Sequence, residues 1–220
     1  MTTPRSDAPG HVPAGQSSWR VLTSDPRHGP LPLLLLALTA VTGLVDAVSI
    51  LRLGRVFVAN MTGNVMFTGF ALVGAPGFSL ATSLLALAGF LVGAGGAGVL
   101  VSRVGHDRAL LLLSSAAAEL VLIAATLAIA ASAATLGTVE RDVLAVLLAV
   151  AMGIQNAVAR RLAVPDLTTT VLTMTLTGIA ADMRTSGRGP ALLRRLLSVA
   201  TMLAGGVAGA WLVLRVSTSS

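Results

Sequence analysis

Cysteine, lysine and tyrosine are absent from the 220-residue chain, aromatic residues make up 3% of it, and charged residues 11%. Without cysteine there is no disulfide framework and no thiolate metal site. With so few aromatics, a basic patch interleaved with stacking rings cannot be built, and nucleic acid is excluded as a partner even though the net charge is +6. A charged fraction well under the quarter usual for soluble domains excludes an ordinary water-soluble enzyme. His11 and His28 fall in the first thirty residues and His106 in a loop between apolar runs. No H-E-x-x-H, G-x-S-x-G or P-loop pattern occurs, and Gly93-Ala-Gly-Gly follows no strand and precedes no lysine. No enzymatic activity, cofactor or metal is expected.

What is present is apolar. Hydrophobic residues make up 55% of the chain, with 23 glycines besides, and the mean hydropathy is +0.87. Too little polar surface exists to cover that core in water, so the expected class is an all-α, polytopic membrane protein, with the lipid bilayer as its first partner. Residues 1–30 differ, carrying Pro4, Pro9, Pro13, Pro26 and Pro30 among Ser, Thr, Gly and Arg without an apolar run. They read as a disordered cytoplasmic tail and not as a secretory signal, which would need an apolar stretch after the first charges.

A membrane crossing needs about 20 apolar residues. Seven segments meet or approach that length, at 31–51, 57–75, 80–101, 109–131, 142–159, 165–182 and 196–214, within one transmembrane domain over 31–216. Five are strongly apolar. The segments at 57–75 and 165–182 are dense in Gly, Asn and Thr. They also correspond to each other at an offset near 110: Gly43-Leu-Val-Asp46-Ala-Val with Gly153-Ile-Gln-Asn156-Ala-Val, Thr68-Gly69 with Thr177-Gly178, and the Gly93 cluster before Arg103 with the Gly205 cluster before Arg215. Two related three-segment repeats are expected, over about 31–103 and 142–215, joined by a linker helix at 109–131.

The fifteen basic residues, all arginine, test the topology. If all seven segments cross, arginines divide eight to seven between the faces. If the two polar segments enter and return on one side, the face of the N-terminus holds Arg5, Arg20, Arg27, Arg103, Arg108, Arg160, Arg161, Arg184, Arg188, Arg194 and Arg195. Only Arg52, Arg55, Arg141 and Arg215 remain opposite. That arrangement also inverts the second repeat relative to the first, a plan common among transporters. It is the expected one, with the N-terminus cytoplasmic in a multi-pass inner (plasma) membrane protein.

The residues that break the apolar pattern are the candidate site. Asp46 lies inside the first apolar run, where a carboxylate costs a few kcal/mol unless capped, paired or hydrated. It reads either as a structural cap or as a substrate or proton site. Asn156 occupies the matching place. Asn60-Met-Thr62-Gly63-Asn64 reads as a break in a helix, either a tight contact or a substrate-lining loop. Thr168, Thr169 and Thr170 open its counterpart. Gln155 precedes Asn156, and Glu119 stands mid-way along the linker helix as an interhelical partner or proton relay. Gly89-x-x-x-Gly93 and Gly205-x-x-x-Gly209 suit close helix contact, either within the chain or in a homodimer.

At Gly43-Leu-Val-Asp-Ala, Phe57-Val-Ala-Asn-Met-Thr-Gly-Asn and Gly153-Ile-Gln-Asn-Ala, the chain resembles the YoaK family of bacterial inner-membrane proteins over nearly everything after the tail. The resemblance implies a multi-pass helical plasma-membrane protein and no established activity, so no functional residue is carried over from it. From the residues, the expected function is a small secondary transporter or permease for an unidentified small solute, its site lined by Asp46, Asn60, Thr62, Gly63, Asn64, Gln155, Asn156 and Thr168–Thr170, with Asp46 and Glu119 as proton carriers. The alternative is a membrane assembly or regulatory protein that transports nothing.

Overall fold

A computed structural model describes residues 31–133, 135–162, 172–182 and 190–218. The expected tail over 1–30 and the threonines Thr168, Thr169 and Thr170 lie outside them. Among the described residues there are seven helices and no strand: α1 (Leu31–Arg52), α2 (Met61–Leu72), α3 (Leu80–Val104), α4 (Arg108–Ser132), α5 (Thr138–Leu162), α6 (Leu172–Asp182) and α7 (Pro190–Thr218).

Five of them, α1, α3, α4, α5 and α7, are long and apolar enough to cross a membrane. Helices α2 and α6 have 12 and 11 residues. At 1.5 Å per residue they reach roughly 16–18 Å, about half of a hydrocarbon core. The helices overrun the apolar segments at their ends because polar residues cap them. Asp107 accepts from the backbone N–H groups of Ala109 and Leu110 (2.9 and 3.0 Å) at the start of α4. Ser79 accepts from Thr82 N–H at the start of α3 (3.2 Å). Pro190 opens α7, a position that needs no donor.

The connection through α2 leaves and rejoins the bundle at one end. Arg55, just past α1, lies over the ring of Phe78, just before α3, at 5.7 Å from its centroid. Successive crossings then alternate, and Arg108 at the start of α4 donates to the Leu162 carbonyl at the end of α5. Helix α1 ends where α5 begins, so those two run in opposite directions.

The closest packing is α1 on α7 and α3 on α5, with α4 laid along α5 and α1 crossing α5 more lightly. Glycine sets both close pairs. A Cβ on Gly43 would strike the Met202 carbonyl and one on Gly205 the Ala40 carbonyl; a Cβ on Gly153 would strike the Phe90 carbonyl and one on Gly93 the Val150 carbonyl. Gly89 and Gly209 face Val146 and Leu44 in the same two seams. These glycines are therefore engaged inside the chain.

The core has three layers. At the end where α1 begins, Leu31, Leu35, Leu36, Leu111, Leu112, Val158 and Leu162 form one apolar cluster. Toward the other end, Val45, Val56, Val58, Leu144, Leu148 and Met152 form a second. Between them, on α1, α4 and α5, the buried residues are polar: Thr39, Thr42, Ser115, Glu119 and Gln155.

Candidate functional site

The site is built from two neighbouring groups, a stapled loop and the polar layer. After α1 the chain turns through Gly54 (φ 98°) and Arg55 (φ 58°), and Val56, Val58 and Ala59 are buried. Irregular backbone buried inside the bundle needs partners for its polar groups. Side chains supply them. Ser49 Oγ, 2.8 Å from the Val56 carbonyl and 2.9 Å from that of Asp46, serves those acceptors. Asn64 Oδ1 accepts from Phe57 N–H (2.9 Å) while its Nδ2 donates to the Phe57 carbonyl (2.6 Å), so one amide pairs with a peptide unit as a neighbouring strand would. Asp46 Oδ1 accepts from the N–H groups of both Val58 (3.0 Å) and Ala59 (2.9 Å).

This corrects the expected position of the break. The sequence suggests it at Asn60–Asn64, with Gly63 in an unusual conformation. It lies earlier, over 53–60, and Thr62, Gly63 and Asn64 belong to α2. Gly63 is needed for room instead: a Cβ there would run into the Phe57 ring. Phe57 in turn stacks on Phe67 (5.5 Å), which meets Phe70 and Phe78, so four of the five phenylalanines hold the returning segment together. Asn60 and Thr62 are exposed, and Asn60 makes no side-chain cap on α2.

Asp46 Oδ2 is buried without a hydrogen-bond partner. Asp46 also borders a cavity of about 640 Å³ between α1, α7 and the start of α6, walled by Gly43, Phe57, Leu172, Met202 and Gly206.

One turn before Asp46 on the same helix, Thr42 begins the polar layer. Its partner is Gln155 of α5, and beyond Gln155 stands Glu119 of α4; these three are 0%, 2% and 5% exposed. The Gln155 amide bridges the other two. With its nitrogen toward Glu119 it donates to Oε1 (2.8 Å) and Oε2 (3.3 Å), and its oxygen accepts from Thr42 Oγ1 (2.8 Å).

Of the residues singled out from sequence, Asp46 and Asn64 thus meet on the loop, and Glu119 and Gln155 meet in the polar layer. Asn156 donates to the Met152 carbonyl of its own helix (2.8 Å). Thr42 and Ser49 escape notice in the sequence because a hydroxyl in an apolar helix ordinarily bonds its own backbone, as Thr39 and Thr126 do here. The signal available for Thr42 is its spacing of one helical turn from Asp46.

The family model described as "Protein of unknown function (DUF1275)" matches residues 34–220. The chain belongs to that family. Within it, the chain is 36% identical to the UPF0700 transmembrane protein YoaK of Bacillus subtilis (strain 168) over 157 residues, 71% of this chain and 67% of that protein. The DUF1275 match includes all seven helices except the first three residues of α1, and with them both the loop and the polar layer. The relative's name agrees with the five membrane-crossing helices. No solved structure matches the chain.

Proposed function

We propose that this protein is a small secondary transporter driven by protons, with Glu119 as the group that binds them. The observation that carries the reading is the polar layer. Thr42, Gln155 and Glu119 come from three helices and meet between two apolar clusters. Thr42 and Glu119 each stand near the middle of a crossing helix. An ionisable group at that depth is costly and marks a functional site by default. Packing alone would have been served by leucine. Asp46, one turn from Thr42, extends the polar line to the stapled loop, and its unpartnered oxygen adjoins a cavity that could admit a small solute.

The two halves are read as an inverted repeat. Support comes from the glycine seams, where Gly43 on Met202 and Gly205 on Ala40 correspond to Gly153 on Phe90 and Gly93 on Val150. Thr68 and Thr177, matched in sequence, also make the same bond, to the carbonyls of Asn64 and Thr173. The distribution of arginines favours a cytoplasmic N-terminus in the plasma membrane.

The experiment is internal pH recording with pyranine in proteoliposomes, against a panel of amino acids, sugars, carboxylates and amines. At least one solute is expected to change the internal pH with the wild-type protein and none with Glu119→Gln. The proposal is overturned if no member of the panel moves protons, or if Glu119→Gln moves them as wild type does.

A further inference from the structure

A larger cavity, of about 1080 Å³, opens at the end of the bundle where α1, α4 and α7 finish and α5 begins. Its walls are Leu44, Val48, Leu127, Ala130, Leu144 and Leu148, with Leu212 of α7 closing one side. Arg52, Arg55 and Arg141 also line it. Leu44 lies eight residues before Arg52 on α1, so the apolar wall extends roughly 12 Å along that helix from the Arg52 backbone.

The arginines arrive from three separate places: the last turn of α1, the loop beyond it and the first turn of α5. All three are exposed. Among the described residues no carboxylate is ion-paired with them. The nearest acids in sequence do not line the cavity: Asp142 accepts from Thr82 Oγ1 (2.6 Å), and Glu140 folds toward Gly137. Arg55 is held on the rim by the Phe78 ring beneath it and by Gly77, where a Cβ would come within 2.8 Å of its Nη1.

These arginines also stand where topology gives them no use. In the expected orientation this end faces away from the cytoplasm, the side from which positive charge is normally withheld. Three of the four arginines at this end border one cavity.

We infer that this cavity binds an organic anion with an apolar body, its carboxylate or phosphate head held by Arg52, Arg55 and Arg141 and its hydrocarbon part against Leu44, Val48, Leu144 and Leu148. Guanidinium groups suit that head because they offer paired donors to oxyanions and lose less on desolvation than an ammonium group. The volume lies just above the usual range for small-molecule sites, about 300–1,000 Å³. This inference does not depend on the transport reading, since it requires binding alone.

The test is scintillation-proximity binding of radiolabelled octanoate to the full chain in phosphatidylcholine nanodiscs, with octanol and acetate as competitors. Octanoate is expected to bind saturably. Octanol, lacking the charge, and acetate, lacking the chain, should each compete at least about tenfold more weakly. Arg52→Gln with Arg141→Gln should remove saturable binding, and the corresponding lysine pair should restore part of it. Ala130→Phe, which fills the cavity and leaves every charge in place, should block binding as well. The inference is overturned if octanol competes as well as octanoate, if the double glutamine variant binds as wild type does, or if Ala130→Phe leaves binding unchanged.

Discussion

At the scale of single residues, Asp46 and Asn64 divide the task of satisfying a buried stretch of irregular backbone, and they do so with different chemistry. Asp46 contributes one oxygen, as an acceptor of two N–H groups. Asn64 is donor and acceptor at once. Asp46→Asn keeps an acceptor oxygen and is therefore expected to fold with little loss, whereas Asn64→Asp loses the donor and sets an anion against the Phe57 carbonyl. The expected cost of Asn64→Asp is about 1–3 kcal/mol, the usual cost of leaving a buried polar group unmet. Thermal unfolding in detergent checks the order, and equal melting temperatures for the two variants would refute it. Asp46→Ala, which orphans two N–H groups, should fall below both. This scale is where the sequence is hardest to read. Asp46 announces itself as a carboxylate in an apolar run, but nothing in the string tells that its partners are the backbones of Val58 and Ala59, twelve and thirteen residues on. Pairing with a peptide unit leaves no side-chain signature at the partner position.

At the scale of helices, length and apolarity decide which ones cross, and both quantities are local, so the five spans and the two short polar segments are legible in the string of residues itself. The break near residue 60 is misplaced because glycine can serve either an unusual φ or a close neighbour, and the sequence does not say which; at Gly63 it is the neighbour, Phe57. The paired glycines of α3 and α7 leave a different choice open in the sequence, contact within the chain or in a homodimer. Their structural use is specific. Gly93→Ala and Gly205→Ala are expected to pry apart the α3–α5 and α1–α7 seams, with a cost of about 1–3 kcal/mol each for overpacking. Gly98→Ala, where an added Cβ meets nothing within 4 Å, should be close to neutral or slightly stabilising, since alanine is the better helix former. Melting curves of the three variants distinguish seam glycines from free ones.

At the scale of the whole molecule, the cysteine-free chain allows single introduced cysteines to report which face they occupy. Val73→Cys in the turn after α2 and Ser132→Cys at the end of α4 should label from one side of an intact vesicle, and His106→Cys between α3 and α4 from the other. Val73→Cys labelled from the side of His106→Cys would mean that α2 crosses. The arrangement has a consequence in parity. In the proposed inverted-repeat arrangement each half contributes two crossings and one short helix, and α4 adds a single crossing between them. Two is even and cannot change the face from which the next unit enters; one is odd and must. In that arrangement α4 sets the membrane orientation of everything after Thr138. A chain that lost it, or gained a second copy of it, would insert its latter half the other way up. Arg141 and Arg215 would then lie on the opposite face from Arg52 and Arg55, and no residue outside α4 would need to change.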